Sequence, residues 1–348
     1  MKKAIAAVMT TIMVISLAGC GGGQPAGSAS TSAAQTKAET SAPAETGDKN
    51  SVSASLSLGT GDPSGTYYAY GGVLANYIAS KTEINTNVVS TAGTIANLTG
   101  IDDGTYDFAT VQSDVMTYAY NGINSFEESG PNTSFRTLGA LYPDAVQMIT
   151  CDPEVKSVSD LAGKSVCVGN VGSGTYYTAI DVLAAYDLTL DDINPVYQSY
   201  GDSAENLKDG KISAAFVVAA APNTAVTDLS TSKTVYLIPI DDEHMGKLIE
   251  SGPWYAPLTI PASVYKGFDE EVNTICVKCT LVCRADLDDD VAYAIVSTIF
   301  DNKKEIAALH AKGEELSLEF ATENIAVPFA KGAAKYYEEK GITVEIAE

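Results

Sequence analysis

The sequence predicts an α/β fold of two lobes facing one another across a cleft, and three observations carry that expectation. From residue 53 onward, short β-prone runs alternate with amphipathic helical patterns, which argues for βα units and largely parallel sheets. A glycine turn followed by Ser-Gly-Thr-Tyr-Tyr occurs twice, within residues 58–68 and 168–177. Each copy closes a strand and opens a helix, and open α/β sheets bind their ligands at the carboxyl ends of strands. Finally, 348 residues with 45% hydrophobic content can form a core, and the length fits one large domain or two of ordinary size.

The elements follow in order. Residues 53–58 read as a strand and 64–81 as a helix, joined by a glycine-rich turn. The strand 87–90 leads to the helix 94–102, and the strand 106–111 to the helix 113–120. A long β run, 135–151, comes next. A short helix at 158–162, a strand at 165–169 and a helix at 175–186 continue the alternation. Then come a helix at 202–209, a strand at 212–220, a strand at 235–240 and a helix at 242–250. The chain ends with a strand at 276–284, one long helix at 288–310 and a last helix at 332–340.

The first twenty residues, MKKAIAAVMTTIMVISLAGC, read as an address. Lys2 and Lys3 precede an apolar stretch too short for an ordinary spanning helix. Leu17-Ala18-Gly19-Cys20 is similar to the bacterial lipobox, so residues 1–19 are expected to be a lipoprotein signal peptide and Cys20 the lipidated residue. An ordinary signal peptide with a chance cysteine is the alternative. Residues 20–52, rich in Gly, Ser, Ala and Thr, cannot bury enough apolar surface to fold and read as a flexible tether. The chain is therefore expected outside the cell interior, anchored by lipid to the outer face of the cytoplasmic membrane.

The formal net charge is −23, from 21 Lys+Arg against 44 Asp+Glu, and loss of Lys2 and Lys3 with the leader makes it more negative still. Such acidity excludes nucleic acid as a partner, because phosphate binding needs a concentrated basic face. Only Arg136 and Arg284 are available for a guanidinium clamp, and both read as structural. Five cysteines remain after Cys20. Cys276 and Cys279 would point to opposite faces of one strand, so no metal site is expected there. Cys151 and Cys167 fall in one region, where a bridge and two free thiols are both open readings.

The glycine turns carry the chemistry. A helix N-terminus leaves about four N–H groups without intrahelical partners and carries about half a positive charge. Glycine lets an anion approach that backbone closely. Ser64, Thr66, Ser173 and Thr175 add hydroxyls, and Tyr67/Tyr68 and Tyr176/Tyr177 offer phenols and aromatic walls. The set suits a carboxylate recognised without a formal cation; simple N-capping by Ser and Thr is the competing explanation. Thr94 and Asn97 after Ser90, and Gln112, Ser113 and Asp114 after the next strand, sit at equivalent junctions. Trp254 and Tyr255 follow Ser251-Gly-Pro, where they either pack or wall the cleft. Gly59-x-Gly61-x-x-x-Gly65 has loose spacing for a dinucleotide, and no acidic residue ends the next strand to hold a ribose. No nucleophile elbow occurs and neither His244 nor His310 has a nucleophile beside it, so no enzyme and no cofactor are expected.

Several segments, taken in order, resemble one family. They are GTGDPSGTYYAYGG (59–72), STAGTIANL (90–98), YDFATVQSDVMTYAYNG (106–122), FRTLGALYP (135–143), VGSGTYYTA (171–179), DGKISAAFVVAAAPNTAV (209–226), WYAPLTIPASVYKGFDEEVNTICVKCTLVCRADLDDDVAYAIV (254–296) and GAAKYYEEKGI (332–342). They are similar to the solute-binding proteins of TRAP transporters, specifically the TAXI family (TRAP-associated extracytoplasmic immunogenic), over about residues 55–345. The resemblance implies a two-lobe periplasmic-binding-protein-like fold of type II, with mixed sheets flanked by helices. Lobe 1 would be 53–144 plus 257–348, and lobe 2 would be 145–256. It implies capture of a small organic anion, of the glutamate, glutamine, 2-oxoglutarate or C4-dicarboxylate class. A monomer would hand that solute to a membrane permease driven by an ion gradient. The implied pocket is Ser64, Gly65, Thr66, Tyr67, Tyr68, Thr94, Asn97, Gln112, Ser113, Asp114, Ser173, Gly174, Thr175 and Tyr255. Two departures stand out: Asp62-Pro63 where the family often has small residues, and Ala219-Ala-Ala-Pro222 without the usual glycine. A carboxylate beside an anion pocket is tolerated better by an amine-bearing ligand than by a pure dicarboxylate. Competing readings are a binding protein for an ATP-driven importer or sensor, an exported hydrolase, and a surface adhesin.

Overall fold

In chain order the strands and α-helices are β1 (Asn50–Gly59), α1 (Thr66–Lys81), β2 (Thr82–Val89), α2 (Thr94–Asp102), β3 (Phe108–Gln112), α3 (Ser113–Asn121), β4 (Phe135–Thr150), β5 (Ser165–Cys167), α4 (Gly174–Ala185), β6 (Asn194–Val196), α5 (Tyr200–Lys208), β7 (Ala214–Ala219), α6 (Thr224–Ser232), β8 (Tyr236–Ile238), α7 (Asp242–Ser251), β9 (Ala256–Ile260), β10 (Val272–Arg284), α8 (Asp289–Asp301), α9 (Lys303–Leu309), α10 (Leu318–Thr322) and α11 (Lys331–Glu339). The computed structural model describes residues 50–347; the leader, most of the tether and Cys20 lie outside the described residues. No described helix is long and apolar enough to cross a membrane.

The strands join in the order β2-β1-β3-β10-β4-β7-β5-β6, with β8 on β4 and β9 on β10. Two long strands organise the rest. β4 has 16 residues and β10 has 13. The Cys279–Cys283 stretch of β10 pairs with β3, while its Val272–Cys276 stretch pairs with β9. The end of β4 from Ala145 to Thr150 pairs with β7. β4 and β10 therefore serve both halves of the sheet, and their pairing shifts register between Cys279 and Thr280 and again between Leu281 and Val282. Such irregularities bend and twist a strand pair.

Each half has its own apolar interior. In the first half, Leu74 and Ile78 of α1, Ile295 and Ile299 of α8, and Tyr336 and Tyr337 of α11 pack on one face of the sheet. Leu98, Ile101 and Met116 of α2 and α3 cover the other. In the second half, Val182 and Leu183 of α4 and Leu248 of α7 pack on Val146, Phe216 and Ile275. Leu207, Val226 and Leu229 of α5 and α6 close the opposite face. Each fully buried aliphatic side chain stabilises the fold by about 1.5–3 kcal/mol relative to exposure. The α/β class with mixed sheets and flanking helices is the fold observed.

Several expectations need correction. The sheet is mixed rather than largely parallel: β1–β2, β1–β3, β5–β6 and β5–β7 are parallel, but every pairing of β4 or β10 with another of these strands is antiparallel. The long helix of 288–310 is two, α8 and α9, broken at Asn302. Its side chain donates to the carbonyl of Thr298 (2.9 Å), while its own carbonyl accepts from Glu305 and Ile306 and restarts the helix. The helix of 158–162 is a 3-10 turn, Val158–Leu161, closed by a capping box of Ser157 and Asp160. Cys151 and Cys167 are not bridged; all five cysteines among the described residues are free. β6 and β9 escaped the sequence reading because Pro195 and Pro257 interrupt short runs, and both strands sit where a missing donor is tolerated, on sheet edges.

α11 meets α8 at Gly332, where an added Cβ would overlap the Asp289 carbonyl and stand 2.9 Å from the Tyr293 amide nitrogen. Gly332→Val is therefore expected to cost about 1–3 kcal/mol, read as a lowered urea midpoint at unchanged m-value. An unchanged midpoint would mean that α11 is not seated on α8 as described.

Candidate functional site

The two glycine turns meet across one cavity. β1 ends at Gly59, and its turn is shaped by Asp62: Oδ1 accepts from the Ser64 amide (2.8 Å) and hydroxyl, and the Asp62 carbonyl accepts from the Gly65 amide (2.8 Å). This delivers α1 with Gly65 as N-cap and no side chain capping it. On the other side, Gly169 (φ 90) and Gly172 (φ 85) turn the chain after β5 into α4. Both hold left-handed backbone that glycine adopts without strain. Ser173 caps α4 by accepting from the Tyr176 amide (3.3 Å), and donates to the Asn170 carbonyl (2.7 Å).

The cavity between these tips measures about 40 Å³, room for a few waters. Of the residues expected from the sequence, Gly65, Thr66, Tyr67, Thr94, Gln112, Ser173, Gly174 and Thr175 line it. The other six stand elsewhere. Ser64 is held by Asp62. Tyr68 is 38% exposed, one helical step from Tyr67 and off the cavity face. Asn97 is fully buried and ties the β1 and β3 ends together, its Nδ2 donating to the carbonyls of Thr60 (2.6 Å) and Thr110 (2.7 Å). Ser113 Oγ accepts from the Lys278 amide (2.8 Å) and pins α3 to β10. Asp114 and Tyr255 lie behind the cavity wall. Tyr176 and Tyr177 do not line the cavity; Tyr177 stacks on Phe126, with ring centroids 5.6 Å apart.

The sequence reading missed Asn170, Gln198, Ser199, Tyr200, Val218 and Ala219; together with Gly61, Asp62, Ala92 and Gly93, which were not among the expected pocket residues either, they complete the lining. Tyr200 matters most. Its hydroxyl donates to the Val218 carbonyl (2.8 Å) and accepts from Thr175 Oγ1 (2.7 Å), so the first turn of α4 is braced against β7. Ser199-Tyr200-Gly201 opening a helix was a signal of the same kind as the two glycine turns, but without a glycine ahead of the serine.

Contacts from one side of the cavity to the other are numerous. The Gly172 carbonyl accepts from the Ile95 (3.0 Å) and Ala96 (3.4 Å) amides, occupying the N-terminus of α2. Asn223 Nδ2 donates to the Ser64 carbonyl (3.4 Å). Gln112 Nε2 donates to Thr178 Oγ1 (3.0 Å), which donates to Asp114 Oδ2 (2.8 Å). Tyr118 and Tyr255 both donate to Asp181 Oδ2 at 2.7 Å. These pairs join α1, α2 and α3 to α4 and the second half of the sheet.

The sequence model of the NMT1-like family matches residues 58–341. The chain belongs to the NMT1-like family. A solved structure of a Bordetella bronchiseptica RB50 protein superposes on this NMT1-like protein with a TM-score of 0.50 at 16% identity, covering 82% of this chain and 88% of that one. The periplasmic aliphatic sulphonate binding protein SsuA from Escherichia coli gives 0.43 at 15% identity over 84% and 94%. The GluR0 ligand-binding core from Nostoc punctiforme, in complex with L-glutamate, gives 0.46 at 14% identity over 75% and 100%. At these identities the first likeness is one of fold.

No lysine, arginine or histidine lines the cavity of this NMT1-like protein. Arg284 pairs with Asp107 and Asp286, and Arg136 donates to the carbonyls of Thr133 and Phe135; both lie at the β4–β10 end remote from the turns. His244 stacks on Tyr186 and bonds Asp241, and His310 packs on Tyr70. Among the described residues no three His, Cys, Asp or Glu gather to hold a metal.

Behind the wall lie two fully buried carboxylates. Tyr67 Oη donates to Asp144 Oδ2 (2.7 Å), while Asp144 Oδ1 and Asp114 Oδ1 have no partner among the described residues. Burial pushes the Asp114 carboxyl up to about 7 and the Asp144 carboxyl up to about 8, against the opposing pull of the Tyr67 hydrogen bond and Lys312 on the latter. In the unfolded chain both ionise near ~4. The folded chain thus holds more protons between these values, so their contribution to stability is complete below pH ~4 and is lost as pH rises through about 8. Asp144→Asn keeps an acceptor for Tyr67 without the charge. Its stability relative to the parent is expected to rise by about 4 kcal/mol at most from pH 5 to pH 8, measured by urea unfolding. A constant difference would mean that Asp144 is ionised throughout.

Proposed function

We propose that this chain is an extracytoplasmic solute-binding lipoprotein that captures a small carboxylate-bearing solute in the cleft and presents it to a TRAP-type permease of the TAXI kind. The observation that carries the reading is the cavity itself: the first turns of α1 and α4, from opposite halves of the sheet, open onto one space that no cationic side chain enters. First-turn amides lack intrahelical acceptors and favour anions. Gly65 and Gly174 leave that backbone approachable, and Thr66, Thr94 and Thr175 add hydroxyls. The α2 tip contributes less, since the Gly172 carbonyl already fills it.

In this reading the solute enters an open cleft and bridges both turns. Closure is favoured because the bridging contacts exist only in the closed form. The lobes are 53–144 with 257–348, and 145–256, moving about the middle of β4 and β10. The lipidated Cys20 and the tether hold the protein beside the membrane, on the outer face of the cytoplasmic membrane. No bond is made or broken. A hydrolase would need a base at the cavity, and neither histidine is there. The ordered sequence segments favour an ion-driven permease as recipient; an ATP-driven importer is the competing partner, and solute uptake by reconstituted vesicles under an ion gradient or with ATP separates them.

Thermal shift against glutamate, glutamine, 2-oxoglutarate and C4 dicarboxylates tests the capture step. A bound solute at a hundredfold excess over its Kd stabilises by about 2.7 kcal/mol. At least one member is expected to raise the melting temperature, and Gly174→Val to abolish the shift, because its side chain would overlap Gln112 and crowd Thr94 Oγ1. No shift with any member at millimolar concentration, or an unchanged shift in the variant, contradicts the proposal.

A further inference from the structure

Charge bookkeeping within the cavity narrows the solute. Among its lining residues Asp62 is the one side chain with a formal charge. Its turn uses a single oxygen: Oδ1 accepts from the Ser64 amide and hydroxyl, whereas Oδ2 accepts from no described group. Asp62 is partly exposed, so this second oxygen is not sealed off by the fold. On the attractive side are helix tips alone, those of α1, α4 and α5 opening onto the cavity, each worth about half a positive charge. A second carboxylate on the solute would meet no cationic side chain and would add to the charge of Asp62. An ammonium group would meet an opposite charge where the protein supplies one, and charge-assisted hydrogen bonds of this kind are the stronger ones.

The neighbours of the cavity bring no cation into it. Tyr67, which lines it, spends its hydroxyl on Asp144, and Gln112 leads through Thr178 to Asp114. Behind the lining stand Asp144 and Asp114, both held toward the neutral form by burial, and Lys312, which is bonded to Glu315 and the Ala221 carbonyl and does not line the cavity.

We propose that Asp62 is the specificity-determining residue of the cleft, accepting the ammonium group of a zwitterionic, α-amino-acid-like solute and disfavouring the amine-free carboxylate or dicarboxylate of the same skeleton. This rests on the cleft being a carboxylate site, as above. Simple turn-shaping is the rival role for Asp62, and one substitution separates the two. Asp62→Asn keeps an Oδ1 acceptor for the Ser64 amide and hydroxyl and removes only the charge.

Calorimetry on the full chain should compare matched pairs that differ by the amine alone: L-aspartate with succinate, and L-alanine with propionate. For at least one pair the amine-bearing member is expected to bind about tenfold tighter or more. Asp62→Asn should shrink that ratio about tenfold, with the melting temperature of the unliganded protein unchanged. Tighter binding of succinate or propionate, or a ratio that Asp62→Asn leaves intact, overturns this assignment while sparing the carboxylate site. Binding of neither member of either pair, together with silence across the wider panel, overturns the carboxylate site itself and this inference with it.

Discussion

A cleft without a cation has to grip an anion with its backbone, and the centre of this molecule is arranged around that constraint. Amide donors at a helix tip are fixed by the helix and cannot reach, so two tips serve one ligand only if the fold aims them at the same space. Here the turn after β1 and the turn after β5 do so from opposite halves of one sheet. Glycine at 174 lets the Gln112 side chain pack against the first turn of α4, and Tyr200 holds that turn in place from β7.

The convergence depends on β4 and β10. Because both strands pass through each half of the sheet, the two halves share a spine whose middle lies beneath the cavity. Asp144 sits in that middle stretch of β4, fully buried and bonded to the Tyr67 hydroxyl. The ring that lines the cavity is thus tied directly to the strand about which the halves would move. The cysteines of β10 belong to the same interior. Cys279 and Cys283 pack with the α1 and α8 side chains, and burial pushes the Cys283 thiol up to about 12. They act as small apolar residues.

Much of this was legible in the sequence where local chemistry and tertiary structure agree. α2 begins and ends where its periodicity said, and α1, α3 and α4 start within two residues of expectation, because a glycine or polar turn precedes each helix. The repeated Ser-Gly-Thr-Tyr-Tyr located both tips. What escaped was decided at longer range. Tyr67 and Tyr68 are indistinguishable as letters, and only the helix phase against the sheet turns one inward and the other out. Asn97 and Ser113 have the right type and position for a site, yet the fold uses every polar atom they carry to join strand ends. Tyr200, Val218 and Ala219 reach the cavity only through the packing of α5 on β7. The break at Asn302 was visible as a residue but not as an event, since its apolar flanks continue a helical pattern across it.

The most direct check is a crystal structure with a bound solute from the thermal-shift panel. The account predicts a carboxylate whose oxygens lie within hydrogen-bond distance of amides in the first turns of both α1 and α4, with no arginine or lysine side chain touching it. A carboxylate held by Arg136, Arg284 or any lysine, or one lodged away from both first turns, would contradict it.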